Sequence, residues 1–220
     1  MGFLAKTKYK LKLLFTDPIK LMGILWSMIR SVFVSKIDTG PEGTRWTTDS
    51  EKNLLQKYAK QAKVGIVEIG ILDGGTTKEM ALVASVPLYG IDPLIPDSMN
   101  KRLIGTEEKV RNNLAFYPQF TFIKDFSFNV AKTWQTPFDF IFIDGDHTYE
   151  AVKKDYEDWL SLIAPGGYIA FHDSAPTTIN GTVVFEGWEG CIQLVKELKN
   201  DPRVKFIEVN DSITVFQKTM

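Results

Sequence analysis

This 220-residue chain has one cysteine, Cys191, and only two histidines, His147 and His172. A single thiol excludes an internal disulfide and any zinc site built on cysteine pairs, and it is consistent with a reducing compartment. Neither sign of charge is in excess: 26 Lys and Arg stand against 27 Asp and Glu, for a net of −1. That balance speaks against a general nucleic-acid binder. The chain lacks internal repeats, low-complexity tracts and any apolar run long enough to span a bilayer. Its most apolar stretch, LMGILWSMI at 21–29, is nine residues without a charge, closed off by Lys20 and Arg30. No small-residue cleavage site follows it, so a secretory signal is not expected.

The charge asymmetry that does exist lies at the start. Residues 1–40 carry seven Lys or Arg against two Asp, which leaves the remainder acidic. The spacing suggests one or two amphipathic helices, broken at Asp17-Pro18. Such helices can pack on the domain, pair two chains into a homo-oligomer, cover an active site or lie on an anionic membrane surface, and basic excess alone does not choose among these. The stretch DTGPEGTRWTTDS (38–50), dense in turn residues, marks a boundary between an extension, 1–48, and a domain, 49–220.

Within the domain, strands and helices alternate. A helix capped by Asp49 or Ser50 runs to about residue 61, with Leu54, Leu55 and Tyr58 on one face. VGIVEIG, PLYGID (87–92), FTFIKD (120–125), FDFIFID (138–144) and GYIAFHD read as strands. Between them lie helices starting at Thr76 or Thr77, over 105–117, and through Val152, Tyr156, Trp159, Leu160 and Ile163. A helix over 187–199 precedes two final strands around Asn210-Asp211. Alternating units predict an α/β, doubly wound, mostly parallel sheet of seven strands, and the closing hairpin makes the last strand antiparallel.

Ligands of such sheets bind beyond the carboxyl ends of the strands. After the first strand come Glu68, Gly70 and Gly74, in E-x-G-x-x-x-G spacing rather than the G-x-G-x-x-G of a dinucleotide turn. A carboxylate there repels a pyrophosphate and welcomes a cation, although a purely structural turn fits equally well. After the second strand, Asp92 can accept both hydroxyls of a ribose; the plainer reading is a turn cap beside Pro93. After the third, Asp125 and Phe126 can border an adenine, or Asp125 or Ser127 can simply cap a helix. After the fourth and fifth come Asp144, Asp146, His147, His172 and Asp173, so both histidines fall at strand ends. Convergent carboxylates and imidazoles suit a divalent cation such as Mg²⁺ or Mn²⁺, with one histidine left as a general base.

VEIGILDGGTT, LYGIDP, FDFIFIDGDHTYEAVKKDYEDWLSLIAPGGYIAFHDS and the closing hairpin together resemble the class I S-adenosylmethionine-dependent methyltransferases, which are Rossmann-like. Within them the resemblance points to the metal-dependent group that includes macrocin O-methyltransferase and the cephalosporin-hydroxylase-like proteins. It implies an O-methyltransferase acting on a hydroxyl of a sugar, glycan or natural product, without nucleic acid as partner, and cytoplasmic or peripheral to a membrane through residues 1–40. It further implies S-adenosylmethionine at Glu68, Gly70, Ile71, Gly74, Thr76, Asp92, Asp125, Phe126 and Asp144. Asp144, His172 and Asp173 match metal-ligand positions, and His147 matches the base. The chain departs from the pattern at His172, where an acidic residue is usual; an imidazole there favours Mn²⁺ or another transition metal, or no metal, over Mg²⁺. Three other readings compete: a same-fold hydroxylase-like or non-catalytic member, an NAD-dependent oxidoreductase, which the glycine spacing opposes, and a membrane-surface or partner-binding protein led by the N-terminal helices.

Overall fold

A computed structural model of the chain describes residues 46–96, 104–179 and 182–219. The helices expected within residues 1–45 lie outside them. Among the described residues no helix is long and apolar enough to cross a membrane.

The first element among the described residues, α1 (Asp49–Gln61), begins with a capping box rather than with the expected Asp49 or Ser50 cap. The Thr48 hydroxyl accepts from the Glu51 N–H, and the Glu51 carboxylate accepts from the Thr48 N–H. Each satisfies an amide that the first helical turn leaves open. Then follow β1 (Ile66–Ile69), α2 (Gly75–Ala81), β2 (Leu88–Ile91), α3 (Glu107–Leu114), β3 (Phe120–Ile123), α4 (Ser127–Ala131), β4 (Phe138–Ile143), α5 (Tyr149–Leu160) and β5 (Ile163–Phe171). After them come β6 (Thr177–Ile179), β7 (Thr182–Phe185), α6 (Glu189–Leu198), β8 (Val204–Asn210) and β9 (Ile213–Lys218).

Seven strands form one sheet in the order β3-β2-β1-β4-β5-β9-β8. Pairing is parallel from β3 to β5, and β9 runs antiparallel between β5 and β8. The alternation of side chains divides the core in two. On one face Val67, Ile69, Ile141, Ile143, Ile169 and Phe171 pack with Val152, Tyr156 and Trp159 of α5 and Leu194 of α6. On the other, Ile66, Leu88, Phe140, Phe142 and Ala170 pack with Leu54, Leu55 and Tyr58 of α1, Met80 of α2 and Val110 of α3. Strands covered on both sides explain why the sequence of β4 is nearly all apolar.

Several boundaries differ from those expected, and one ribbon is new. Helix α2 starts at Gly75, behind Gly74 in the left-handed region, so Thr76 and Thr77 lie inside its first turn. Helix α5 ends at Leu160, and Ile163 already belongs to β5, which begins before the Pro165-Gly166-Gly167 stop. Ile163 pairs with Phe138, so sheet register overrides the helical spacing that ends at this residue. The β6–β7 ribbon was not foreseen, although Asn180-Gly181 between two β-branched runs is a hairpin signal.

Candidate active site

Register brings the expected residues together. Ile69 pairs with both Ile91 and Ile143, and Ile143 pairs with Phe171. The ladders continue one residue further: the amides of Gly70, Asp144 and His172 donate to the carbonyls of Ile91, Ile69 and Ile143 at 2.9, 2.8 and 3.0 Å. The ends of four adjacent strands thus stand level. Gly70, with φ of +84°, lies so close to β4 that a Cβ would sit 2.1 Å from the Asp144 carbonyl oxygen. The glycine is required by this strand-end contact.

Glu68 sits in β1 beneath α2 and is wholly buried. Neither of its carboxylate oxygens has a hydrogen-bond partner; the Thr77 hydroxyl lies near enough to ease its charge, but no bond closes. Burial, then Asp144 and Asp92, pushes its pKa from 4.5 up to about 8. An unpaired buried carboxylate is costly, and a cationic guest relieves it. Ionisation here opposes folding. Its stability contribution is complete below pH 4.5 and lost as pH rises through 8. Glu68→Gln should therefore match wild type near pH 4.5 and exceed it by on the order of 4 kcal/mol near pH 8 in ligand-free protein. Urea unfolding at the two pH values checks this; equal pH dependence in both proteins would show that Glu68 is not strained.

Asp92 is engaged by backbone more than expected. Its Oδ2 accepts the amides of Ile71 and Leu72 at 2.9 and 2.8 Å, and Oδ1 accepts that of Leu94 at 2.7 Å. Leu72 and Leu94 both adopt left-handed backbone, φ 51° and 53°. Asp92 therefore clips two strained loops together, and of the four acceptor directions of a carboxylate one remains. It can take one ribose hydroxyl, not two. The Ile71 side chain is in the core, and Gly74 and Thr76 are buried at the start of α2. Asp125 is exposed and turned to its own helix, accepting from the Phe126 amide and the Asn129 side chain at 2.7 and 3.0 Å. Phe126, also exposed, stacks on Phe128.

Asp144, His147, His172 and Asp173 converge, each offering one ligand atom within 4.8 Å of the others. His172 Nδ1 lies 2.8 Å from Asp144 Oδ1 and 3.5 Å from Asp173 Oδ1. His147 Nε2 lies 3.5 Å from Asp144 Oδ1 and 3.4 Å from Asp173 Oδ2. Burial opposes charge on both imidazoles, but the surrounding carboxylates outweigh it: His147 is raised, and His172 well above its ordinary value. Burial likewise opposes charge on Asp144, and the two rings hold it well below the carboxylate range. Asp146 does not join the cluster; it is exposed and accepts from the Thr148 amide at the start of α5. His147 is held in place by Trp188, whose ring lies 5.9 Å away, and by Gly190, where a Cβ would come within 2.5 Å of the His147 carbonyl.

A first-row divalent ion with ligands at about 2.0–2.2 Å requires donor–donor edges of roughly 3.0–3.5 Å. Four of the separations, 2.8 to 3.5 Å, lie near such edges, and all four ligand atoms lie within 4.8 Å, so the cluster would draw in around an ion as Nδ1 of His172 gives up its proton. The residues present fit both groups the sequence implied: a cation beside Glu68 and a metal among the strand-end donors.

Three buried carboxylates went unrecognised in the sequence. Asp73 accepts from the Thr106 amide and the Lys109 ammonium at 3.3 and 3.0 Å. Asp155 of α5 accepts from the Ser127 hydroxyl, and burial pushes it up to about 6. Glu51 of α1 faces His172 across 3.7 Å.

Residues 67–174 match the family described as a methyltransferase domain. The uncharacterized protein R132 of Acanthamoeba polyphaga mimivirus is 31% identical over 132 residues, covering 56% of this chain and 56% of that protein. The chain thus matches little more than half the length of this relative. Among solved structures, the O-methyltransferase NovP superposes with a TM-score of 0.64 at 15% identity, over 90% of this chain and 99% of that one. The O-methyltransferase TomG from Streptomyces achromogenes, involved in tomaymycin synthesis and solved in complex with SAM, gives 0.56 at 17% identity, over 77% and 80%. At these identities the likeness is one of fold. The family match takes in every strand end described above, from Glu68 to Asp173. The chain has the Rossmann-like methyltransferase fold, and its residues 67–174 match the methyltransferase-domain family.

Proposed function

We propose that the chain is an S-adenosylmethionine-dependent O-methyltransferase of the metal-dependent group that includes macrocin O-methyltransferase, acting on a hydroxyl of a sugar, glycan or natural product. The observation that carries this reading is the unpartnered Glu68 carboxylate buried beside the Asp144, His147, His172 and Asp173 cluster. A diphosphate-binding turn has no use for such a group, whereas a sulfonium or ammonium does. The match to a methyltransferase domain and the fold shared with two O-methyltransferases support it. The domain is 49–220, preceded by an N-terminal extension, 1–48, whose last residue caps α1; a cytoplasmic or membrane-peripheral location and a homo-oligomer accord with this assignment.

When bound, the cofactor supplies the methyl group, and a divalent ion makes the acceptor hydroxyl more acidic. The residues do the rest. Glu68 balances the cofactor's positive charge, and Asp92 orients its ribose through one hydroxyl while holding the Gly70–Gly74 turn in shape. Asp144, His172 and Asp173 would hold the ion. His147 would take the proton that the acceptor hydroxyl gives up on receiving the methyl group. Trp188, 5.9 Å from the His147 ring, also meets Phe185 edge to face at 6.1 Å, an aromatic pair that suits a ring-bearing acceptor.

The test is isothermal titration with S-adenosylhomocysteine and NAD, followed by incubation with methyl-labelled cofactor and a panel of hydroxylated acceptors. Binding of the first ligand alone, and label appearing as a methyl ether, are the expected results. Preference for NAD would end this reading.

A further inference from the structure

The geometry points to Glu51 as a positioning residue that fixes which nitrogen of His172 faces the metal, and so favours a transition metal over Mg²⁺. This inference rests on the metal-assisted reading above.

Glu51 is one of the few fully buried acids in the described structure, at 2% exposure, and it comes from α1, outside the strand ends. Its carboxylate is held from two directions. Oε2 accepts the Thr48 amide at 2.8 Å, closing the capping box. Oε1 accepts the amide and hydroxyl of Ser212, in the β8–β9 turn, at 2.9 and 2.5 Å. A carboxylate bound by three donors does not swing. What it presents to His172 is Oε2, 3.7 Å from Nε2. That separation is an electrostatic contact rather than a hydrogen bond, yet it places the negative group of α1 squarely on one side of a ring that is itself 2% exposed. The other side of the ring belongs to the cluster: Nδ1 faces Asp144 and Asp173 at 2.8 and 3.5 Å.

The two nitrogens thus have different duties. Glu51 favours a proton on Nε2, so that Nδ1, which meets Asp144 Oδ1 at 2.8 Å, is the nitrogen that gives up its proton to an ion. Such a carboxylate–histidine–metal line fixes the tautomer, orients the ring and raises its basicity, and removing the outer carboxylate typically costs 10- to 100-fold in metal affinity. A capping box needs a Glu or Gln at this position only for the helix; its reach to His172 is an added role. With Nδ1 presented, the ligand set is one imidazole and two carboxylates. Imidazole suits first-row transition metals, and carboxylates suit Mg²⁺ and Mn²⁺, so Mn²⁺ satisfies both.

The experiment uses the full chain and Mn²⁺ as probe, read by loss of the free-ion electron paramagnetic resonance signal. Wild type should bind one Mn²⁺, with Mg²⁺ displacing it only at about 10²-fold higher concentration. Glu51→Gln should weaken Mn²⁺ about 10- to 100-fold while leaving S-adenosylhomocysteine affinity unchanged. Thr48→Ala breaks the same cap without touching His172, and should lower the melting temperature but not Mn²⁺ affinity. Equal weakening in Thr48→Ala and Glu51→Gln would overturn the inference, as would an unaltered Glu51→Gln; both leave the metal reading standing. Absence of Mn²⁺ binding in wild type overturns the inference and the metal reading together.

A second measurement needs no variant. The chain has two histidines, so ¹⁵N-histidine spectra of the Zn²⁺-loaded protein are readily assigned. His172 should appear metal-bound at Nδ1 and protonated at Nε2. Coordination through Nε2 would refute the role given to Glu51.

Discussion

Replacing His147 by alanine should lower turnover by about 10²- to 10⁴-fold, the range a general base contributes, while S-adenosylhomocysteine binds as to wild type. The expectation rests on where His147 sits. It follows β4 in a loop locked against α6 by Trp188 and Gly190, and its side chain, at 17% exposure, is the most accessible of the two imidazoles in the cluster. His172, at 2%, is sealed and cannot meet a substrate. No cofactor contact depends on His147 in this assignment, so its loss separates chemistry from binding. Single-turnover kinetics with labelled cofactor, alongside titration calorimetry, measure the two. Full activity in His147→Ala would remove it as the base. A parallel loss of cofactor affinity would instead make it part of the binding surface.

The roles of His147 and His172 also show what a sequence carries and what it does not. That both histidines fall at strand ends is legible, because β4 and β5 announce themselves as apolar runs ending in polar residues, and a parallel sheet aligns such ends. The mostly parallel sheet of seven strands with one reversed strand is legible for the same reason: the closing hairpin can add its last strand only in the opposite sense. The pairing Ile143↔Phe171 then makes the convergence of Asp144 with His172 a consequence of register. Asp146 reads as an equal member of that group, but a two-residue turn to the Thr148 amide diverts it. Glu51 reads only as a first-turn acid on an amphipathic helix. Its contact with Ser212, 161 residues away, exists because β9 inserts between β5 and β8 and brings the β8–β9 turn over α1. No local pattern encodes that. Asp155 is hidden for a similar reason: its partner Ser127 lies on a different helix. Residues 1–48 posed a choice of roles that composition alone left open.

Asp92→Ala should abolish measurable cofactor binding and also lower the melting temperature by about 10 °C. The second effect follows from what Asp92 holds. Three backbone amides, of Ile71, Leu72 and Leu94, lose their acceptor, and two leucines in left-handed backbone lose the bonds that keep them there. Bonds to a charged acceptor contribute roughly 1.5–3 kcal/mol each, partly recovered by water at these half-buried loops, so a net loss of about 3–4 kcal/mol is expected. For a domain of this size each kcal/mol moves the midpoint by about 2–4 °C. Binding then fails for two separable reasons: the Gly70–Gly74 turn loses its shape, and the ribose loses its acceptor. Asp92→Asn, with one oxygen retained, preserves more of the turn. Pairing it with a 2′,3′-dideoxy analogue of S-adenosylhomocysteine isolates the ribose contact. Wild type should bind the analogue at least about tenfold more weakly than the parent, because a single hydrogen bond to a carboxylate is worth 1.5 kcal/mol or more. The Asn variant should distinguish the two ligands less. If wild type binds both equally, Asp92 acts solely by holding the turn, and the nucleoside must be recognised elsewhere in the site. If Asp92→Ala retains wild-type affinity, the end of β2 plays no part in the cofactor site, and the strand-end assignment that depends on it is wrong.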